Sequence, residues 1–375
     1  MENENNEEKK AHIFEIDFLR AITVFSVVTI HTFASMAYLY SKDPLTTQII
    51  ALFIHLLHYN REIFIFVTGL VLTYVYFHRP FSAMKFWSKR LLFIFAPYVL
   101  WTIIYLLINN DTLPLNKYLP LFWTDILTGN ASYQLYYISL ALQYYALFPF
   151  FLWFIKKVGK HPSAILIISF IIQIIMIYLD FTFLQKGPLM QTPIVKNFLT
   201  PYQDRLFLSY QFFFIAGSFV AIYMNKSYQF IQKYGKYLPV IFLLTIISFS
   251  LYFLHQLHIK SMTYSLSVLQ PSVVLYSIVA IPFFSWLSII WAQKKKMFRL
   301  IKGISDTSFG IFFVHVMILS YFIQHVISLF PSDMPTLEMI ILIDLATFIL
   351  SLIICLILLR IPFLRWTIGR GGTKK

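Results

Sequence analysis

Ten apolar runs, each long enough to cross a bilayer, decide most of what this chain can become. A spanning helix needs about 17–25 predominantly apolar residues. Such runs lie near 13–37, 61–78, 91–109, 133–155, 163–180, 206–224, 238–255, 272–292, 307–330 and 338–360. In lipid every backbone polar group must be satisfied within the segment, so runs of this length read as helices. Composition agrees: 59% of the 375 residues are hydrophobic and 12% are charged, against about 25% charged in a soluble domain. The single cysteine, Cys355, excludes an intrachain disulfide and any cysteine-based metal cluster. The expected fold class is all-α, a polytopic integral membrane protein of about ten transmembrane helices. One transmembrane domain is expected over 12–362, between a short disordered tail at 1–11 and a basic tail at 363–375.

A formal net charge of +14 invites a nucleic-acid reading, so the placement of the charges has to decide. On one set of alternate joints stand Lys9 and Lys10; Arg79, Lys85, Lys89 and Arg90; Lys156, Lys157 and Lys160; Lys226, Lys233 and Lys236; Lys294, Lys295, Lys296, Arg299 and Lys302; and Arg360, Arg365, Arg370, Lys374 and Lys375. The other set has only Lys42, Lys117, Lys186, Lys196, Arg205 and Lys260. This asymmetry follows the positive-inside rule and places both termini in the cytoplasm. It leaves no charge that needs a nucleic-acid partner, and the lipid bilayer is the partner it implies. The same basic joints set up a field that attracts an anionic cytosolic substrate. Asp17, Arg20 and His31 inside the first run make it a poor signal peptide, so it is expected to stay as a span. Low Ala and Gly with abundant Ile, Lys, Asn and Phe suggest a bacterial source, hence a multi-pass protein of the bacterial cell membrane.

Three connections on the sparsely charged side stand out. Residues 38–60, with Ser41-Lys42-Asp43-Pro44, His55 and His58, read as an amphipathic helix at the outer interface. Residues 110–132 and 181–205 read as long loops, of the kind that line or cover a site. Asp125, Gln134, Asp204 and Arg205 stand on this outer side, where they are placed to touch a ligand.

An ionisable residue inside a membrane run is a functional candidate. These are Asp17, Arg20 and His31 in the first run, Arg61 and Glu62 at the start of the second, His315 in the ninth and Asp344 in the tenth. Arg20 and His31 are separated by eleven residues, which leaves them about 20° apart in azimuth and about 16 Å apart in depth on a helix. One face therefore carries a cation near the basic end and an imidazole toward the other. Asp17 is one turn from Arg20 and can pair with it. Glu62 is expected at the depth of His31, where a carboxylate can orient an imidazole as a general base. The plainer reading makes Asp17–Arg20 an interfacial ion pair and His31 an interhelical donor, and Glu62 can equally pair with Arg61. Other chemistries find no support: there is no phosphate-cradling glycine loop, no HExxH helix and no nucleophile elbow. His55 and His58 lack acidic companions, so no metal site is expected.

Several ordered segments resemble a known family. Asp17-Phe18-Leu19-Arg20-Ala21 followed by His31 resembles the opening of the membrane acyltransferase 3 family. So do Glu62-Ile63-Phe64-Ile65-Phe66-Val67-Thr68-Gly69, where Thr68 replaces the usual Ser, and Arg90 ahead of Pro97-Tyr98. Tyr136-Tyr137-Ile138-Ser139-Leu140 with Gln143-Tyr144-Tyr145 and Pro149, Phe212-Phe213-Phe214-Ile215-Ala216-Gly217, and Ser308-Phe309-Gly310-Ile311-Phe312-Phe313-Val314-His315 continue the series. Where the family often has a second arginine in its basic joint, this chain has Phe93. In size and spacing it is also similar to the intercellular adhesion protein C group.

The resemblance implies transfer of an acyl group, acetyl or succinyl, from cytoplasmic acyl-CoA to a hydroxyl of an extracytoplasmic surface polysaccharide. It implies His31 and Glu62 as catalytic residues, with Arg20, Asp17, Arg90, Lys89 and His315 binding substrate. Acyl-CoA acts as co-substrate, no cofactor is needed, and a glycan synthase is a partner the resemblance admits. The competing reading is an exporter or flippase of a surface polysaccharide.

Overall fold

The computed structural model describes residues 12–37, 44–110, 113–185, 188–193, 195–196, 201–294, 297–326 and 337–370. The expected tail 1–11, the end of the basic tail from 371, Ser41-Lys42-Asp43, Lys186 and Lys295-Lys296 lie outside the described residues. In chain order the helices are α1 (Phe14–Ala37), α2 (Pro44–Leu56), α3 (Asn60–Tyr76), α4 (Ala83–Phe86), α5 (Leu92–Asn109) and α6 (Leu115–Thr128). They continue with α7 (Tyr136–Val158), α8 (Pro162–Leu179), α9 (Gln211–Ile222), α10 (Met224–Tyr234) and α11 (Leu238–Ile259). The last are α12 (Met262–Ser265), α13 (Pro271–Lys294), α14 (Phe298–Tyr321) and α15 (Leu337–Arg360). No strand occurs among the described residues, so the fold is all-α and polytopic.

Among the described residues nine helical segments are long and apolar enough to cross a membrane. The outward faces of the peripheral ones are apolar and the inward faces carry the polar groups. On α8, Ile168, Ile171, Ile172 and Ile175 are exposed while Ser169 and Gln173 are buried. That inversion is what a lipid solvent selects, because lipid tails take up Ile and Leu and polar groups must find partners inside. α1 is the hub: it packs on α2, α3, α13, α14 and α15. At 24 residues it is about 36 Å long, enough to cross the hydrocarbon layer.

The run expected at 206–224 differs from its neighbours. It is a short 3-10 turn over Phe207–Tyr210 followed by α9, only 12 residues long. Its first turn is held by side chains rather than by more helix: the Phe212 N–H donates to Gln173 Oε1 at 3.2 Å, and Ser169 Oγ donates to Gln211 Oε1 at 2.7 Å. α9 lies against α3, and two glycines allow the approach. A Cβ on Gly69 would strike the Phe214 carbonyl, and one on Gly217 the Phe66 carbonyl. Reciprocal small residues of this kind bring membrane helices into backbone contact.

Two of the expected connections are also different. Within 38–60, α2 is apolar on its outer side, where Leu45, Ile49 and Phe53 are exposed, and its buried side holds Ile50, Ile54 and His55. It is therefore not an amphipathic interface helix with a polar outer face. The His55 ring is stacked on Phe249 and Phe253, with centroids 4.0 and 4.6 Å away. Within 110–132, α6 replaces a loop and stops at Gly129, whose φ of 75° is the left-handed conformation glycine adopts freely.

The two ends of the described chain meet on adjacent residues of α14. Ser305 Oγ donates to Asp17 Oδ1 at 2.8 Å, and Arg370 Nη2 donates to Asp306 Oδ1 at 2.8 Å. Both ends thus lie at one end of the bundle, here called the basic end.

Candidate functional site: a basic cleft and a histidine chamber

Two cavities lie along α1. The larger, about 450 Å³, opens at the basic end, and its lining includes Arg20, Lys89, Arg90 and Arg370 with Asp306 as the carboxylate. The smaller, about 200 Å³, is lined by His31, His58, Asn60, Arg61 and Gln134 among others. Phe64, Tyr137 and Phe312 line both. Their rings form a collar, with Phe64 and Tyr137 centroids 5.6 Å apart and Tyr137 and Phe312 5.7 Å apart. The helical period explains the arrangement: residues on one face of α1 reach cavities on either side of the collar.

In the cleft, Arg20 makes no hydrogen bond or ion pair among the described residues. Asp17, the expected partner of Arg20, is held elsewhere: His12 Nε2 lies 2.6 Å from Asp17 Oδ2, and Ser305 takes the other oxygen. Asp17 faces the start of α14, so it anchors α1 there and leaves the Arg20 guanidinium to the cavity. Lys89 and Arg90 come from a widened π-helical turn, Trp87–Leu91, ahead of α5. Such turns insert one extra residue and are frequent at functional sites. Arg90 Nε donates to the Tyr76 hydroxyl at 3.3 Å, which fixes its direction.

In the chamber the His31 ring lies 5.2 Å from His315 and 4.8 Å from Tyr133. His315 Nδ1 is 2.9 Å from the Ile311 carbonyl. A carbonyl only accepts, so the proton is on Nδ1 and Nε2 carries a lone pair. That Nε2 is buried without a partner. Glu62 does not meet His31: no hydrogen bond or ion pair joins them among the described residues. Its charged and phenolic neighbours are Arg61, Tyr136, Tyr137 and Tyr210. Of the two partners the sequence left open for Glu62, Arg61 is the one beside it, and the ring beside His31 is that of His315.

The rest of the chamber is polar and under-satisfied. Arg61 Nη1 donates to the Tyr210 hydroxyl at 3.2 Å, and that hydroxyl donates to the Asp204 carbonyl at 3.1 Å. Arg61 Nη2, His58 Nδ1, both polar atoms of the Asn60 side chain, Gln134 Nε2 and Glu62 Oε2 are buried without partners. Native interiors leave few such groups, and a cluster around a cavity marks a place where a polar ligand or water completes the set. Beside it, burial pushes the Asp204 carboxyl above its usual range, against the pull of Arg205 and Arg61.

Of the residues expected from sequence, Arg20, Lys89, Arg90 and His31 line a cavity, and His315 stands beside His31 without lining either one. Sequence reasoning missed the collar, Asn60 and Arg370. Phe64, Tyr137 and Phe312 stood inside quoted motifs, but an aromatic in an apolar run carries no signal of its own. Arg370 read as one more topology charge. Among the described residues no group of three His, Cys, Asp or Glu side chains is placed to hold a metal.

No curated protein and no solved structure shows a significant match to the chain. A family model described as "Acyltransferase domain" matches residues 13–360, nearly the whole length. With the ordered motifs, the all-α membrane fold and the two cavities on one helix face, that match makes this chain a member of the Acyl_transf_3 acyltransferase family.

Proposed function

We propose that the protein moves an acyl group, acetyl or succinyl, from cytoplasmic acyl-CoA to a hydroxyl of an extracytoplasmic surface polysaccharide. The observation that carries this reading is that Arg20 and His31 share one face of α1 and open into two cavities that meet at the Phe64–Tyr137–Phe312 collar. The donor is an anionic nucleotide thioester, and the cleft offers Arg20, Lys89 and Arg90 to its phosphates. Its acyl end passes toward the collar, and the acceptor hydroxyl enters the chamber.

Neutral His31 takes the hydroxyl proton as the oxygen attacks the thioester carbonyl. The carbon–sulfur bond of the resulting tetrahedral intermediate breaks, the CoA sulfur leaves, and His31 returns the proton to it. The His315 lone pair is available to accept the His31 N–H and hold the ring in its working tautomer. The unpartnered Arg61 and Asn60 donors are available to the acceptor or to the developing oxyanion. Glu62 acts through Arg61, by balancing its charge. The basic end faces the cytoplasm of a bacterial cell in this reading, which puts both termini there.

The test is CoA release by purified protein given acetyl-CoA or succinyl-CoA and a surface-glycan acceptor. Release that needs the acceptor and disappears in a folded His31→Ala variant supports the assignment. Continued loss of glycan at the cell surface in that variant, with no thioester turnover by the wild type under either donor, moves the protein to the exporter reading.

A further inference from the structure

Beyond α15 the chain stays on the bundle. It turns at Ile361–Leu364, forms a short 3-10 turn over Arg365–Ile368, and ends its described course at Arg370. The segment is bound at each step. Arg365 Nε donates to the Leu359 carbonyl at 2.7 Å, and Trp101 Nε1 donates to the Thr367 carbonyl at 2.9 Å. Ile368 is 2% exposed and sits over Gly310, where a Cβ would come within 2.8 Å of its side chain. Gly369 turns the chain with φ of 72°, a left-handed conformation, and the Phe309 ring lies against it.

This route delivers Arg370 to the cleft. Its Nε and Nη2 donate to the Asp306 carbonyl at 2.9 and 2.7 Å, and Nη2 also donates to Asp306 Oδ1 at 2.8 Å. One edge of the guanidinium is thereby clamped, while Nη1 makes no hydrogen bond among the described residues. Asp306 is shared with Lys302 at 3.0 Å, so its charge does not cancel Arg370 alone. Ile368, Gly369 and Arg370 all line the cleft, yet all three lie beyond residues 13–360 that match the family. Gly369 is also beside the carbonyl of Phe93, another residue of the cleft lining.

We propose that residues 368–370 form a wall of the donor site and that Arg370 binds a phosphate of the acyl-CoA. The proposal rests on the reading that the cleft holds the donor. A planar guanidinium fixed along one edge keeps the other for an anionic oxygen and loses little freedom on binding. Trp101 does not line the cleft. It acts at a distance, by holding the Thr367 carbonyl and with it the direction of Arg370.

The experiment measures CoA affinity by calorimetry on the purified full chain, for wild type, Arg370→Gln, Asp306→Asn and Trp101→Phe, with a melting curve for each. Arg370→Gln is expected to raise the Kd for CoA about tenfold or more, the order of one lost charge-assisted contact. Asp306→Asn is expected to bind at least as tightly as wild type, since it keeps the two bonds to the backbone carbonyl that hold Arg370 and removes the competing carboxylate. Trp101→Phe is expected to weaken binding severalfold with every cleft residue in place. Equal affinity in Arg370→Gln and wild type overturns the proposal and leaves the donor reading intact. Equal losses in Arg370→Gln and Asp306→Asn also overturn it, by making the pair a staple. If wild type binds no CoA at all, the donor reading fails and the proposal with it. Should Arg370→Gln not fold, Arg370→Lys serves: loss of affinity with the charge kept supports the fork, and none overturns it.

Discussion

The cleft and the chamber share a helix face and three aromatic rings, yet they manage charge in opposite ways. In the cleft the ionic groups are long and partly solvated. Arg370, Lys302 and Asp306 form ion pairs with a third or more of each side chain exposed. Pairs of that kind are screened by salt and contribute little to stability, so their value is a field and a set of donors for an incoming anion. In the chamber the polar groups are buried, and several of their atoms have no partner. An unsatisfied buried group costs about 1–3 kcal/mol, a cost the surrounding bundle has to carry. Under the proposed function this is a division of labour: one region captures a charged ligand, and the other holds poised groups against a neutral one.

The sharpest way to separate the two regions is to remove one residue from each. His31→Ala is expected to lower kcat by about 10²–10⁴, the usual contribution of a general base, while CoA affinity stays within twofold. Arg20→Ala is expected to do the reverse. A lost charge-assisted contact of about 1.5–3 kcal/mol raises the donor KM by about 10–150-fold, with a smaller effect on kcat. If both variants lose kcat and affinity alike, the regions are one site and the division fails.

A smaller effect probes the collar. Phe312→Ala removes a ring shared by both cavities and admits water to the thioester. Acceptor-independent CoA release is expected to rise severalfold while acceptor-dependent transfer falls, measured in the same assay with and without glycan. Unchanged release without acceptor would mean that the collar does not separate the compartments.

The smallest concerns how α1 is held. Thr29 Oγ1 donates to Asp344 Oδ2 at 2.9 Å, which ties the helix bearing His31 to α15. Asp344→Asn is expected to cost about 1 kcal/mol of stability, in the range of interhelical hydrogen bonds in membranes. Transfer should fall two- to threefold. A drop as large as that of His31→Ala would instead give Asp344 a part in the chemistry.

Periodicity alone makes the bundle and one face of its hub legible. A span announces itself by length and hydropathy, and Arg20 and His31 share a face because eleven residues is close to three whole turns. What lies across from that face is a different kind of information. Order along the chain predicts one depth for Glu62 and His31, but azimuth depends on how α3 packs, and Gly69 against the Phe214 carbonyl sets that packing. The carboxylate ends among Arg61 and three tyrosines, and His315 from a helix far away in sequence takes the place beside His31. The 206–224 run reads like any other span, and only its side-chain partners on α8 show why it needs less helix. Arg370 lies past the last span, where a basic residue is what topology alone predicts.

The measurement that bears most directly on the division is sided transfer in proteoliposomes of defined orientation. Acyl-CoA is supplied on one face and the glycan acceptor on the other, and acylated glycan is counted. Transfer is predicted only when acyl-CoA is on the face of the basic cleft and the acceptor is on the chamber side. Equal transfer with both substrates on the same face, or with their sides exchanged, would contradict it.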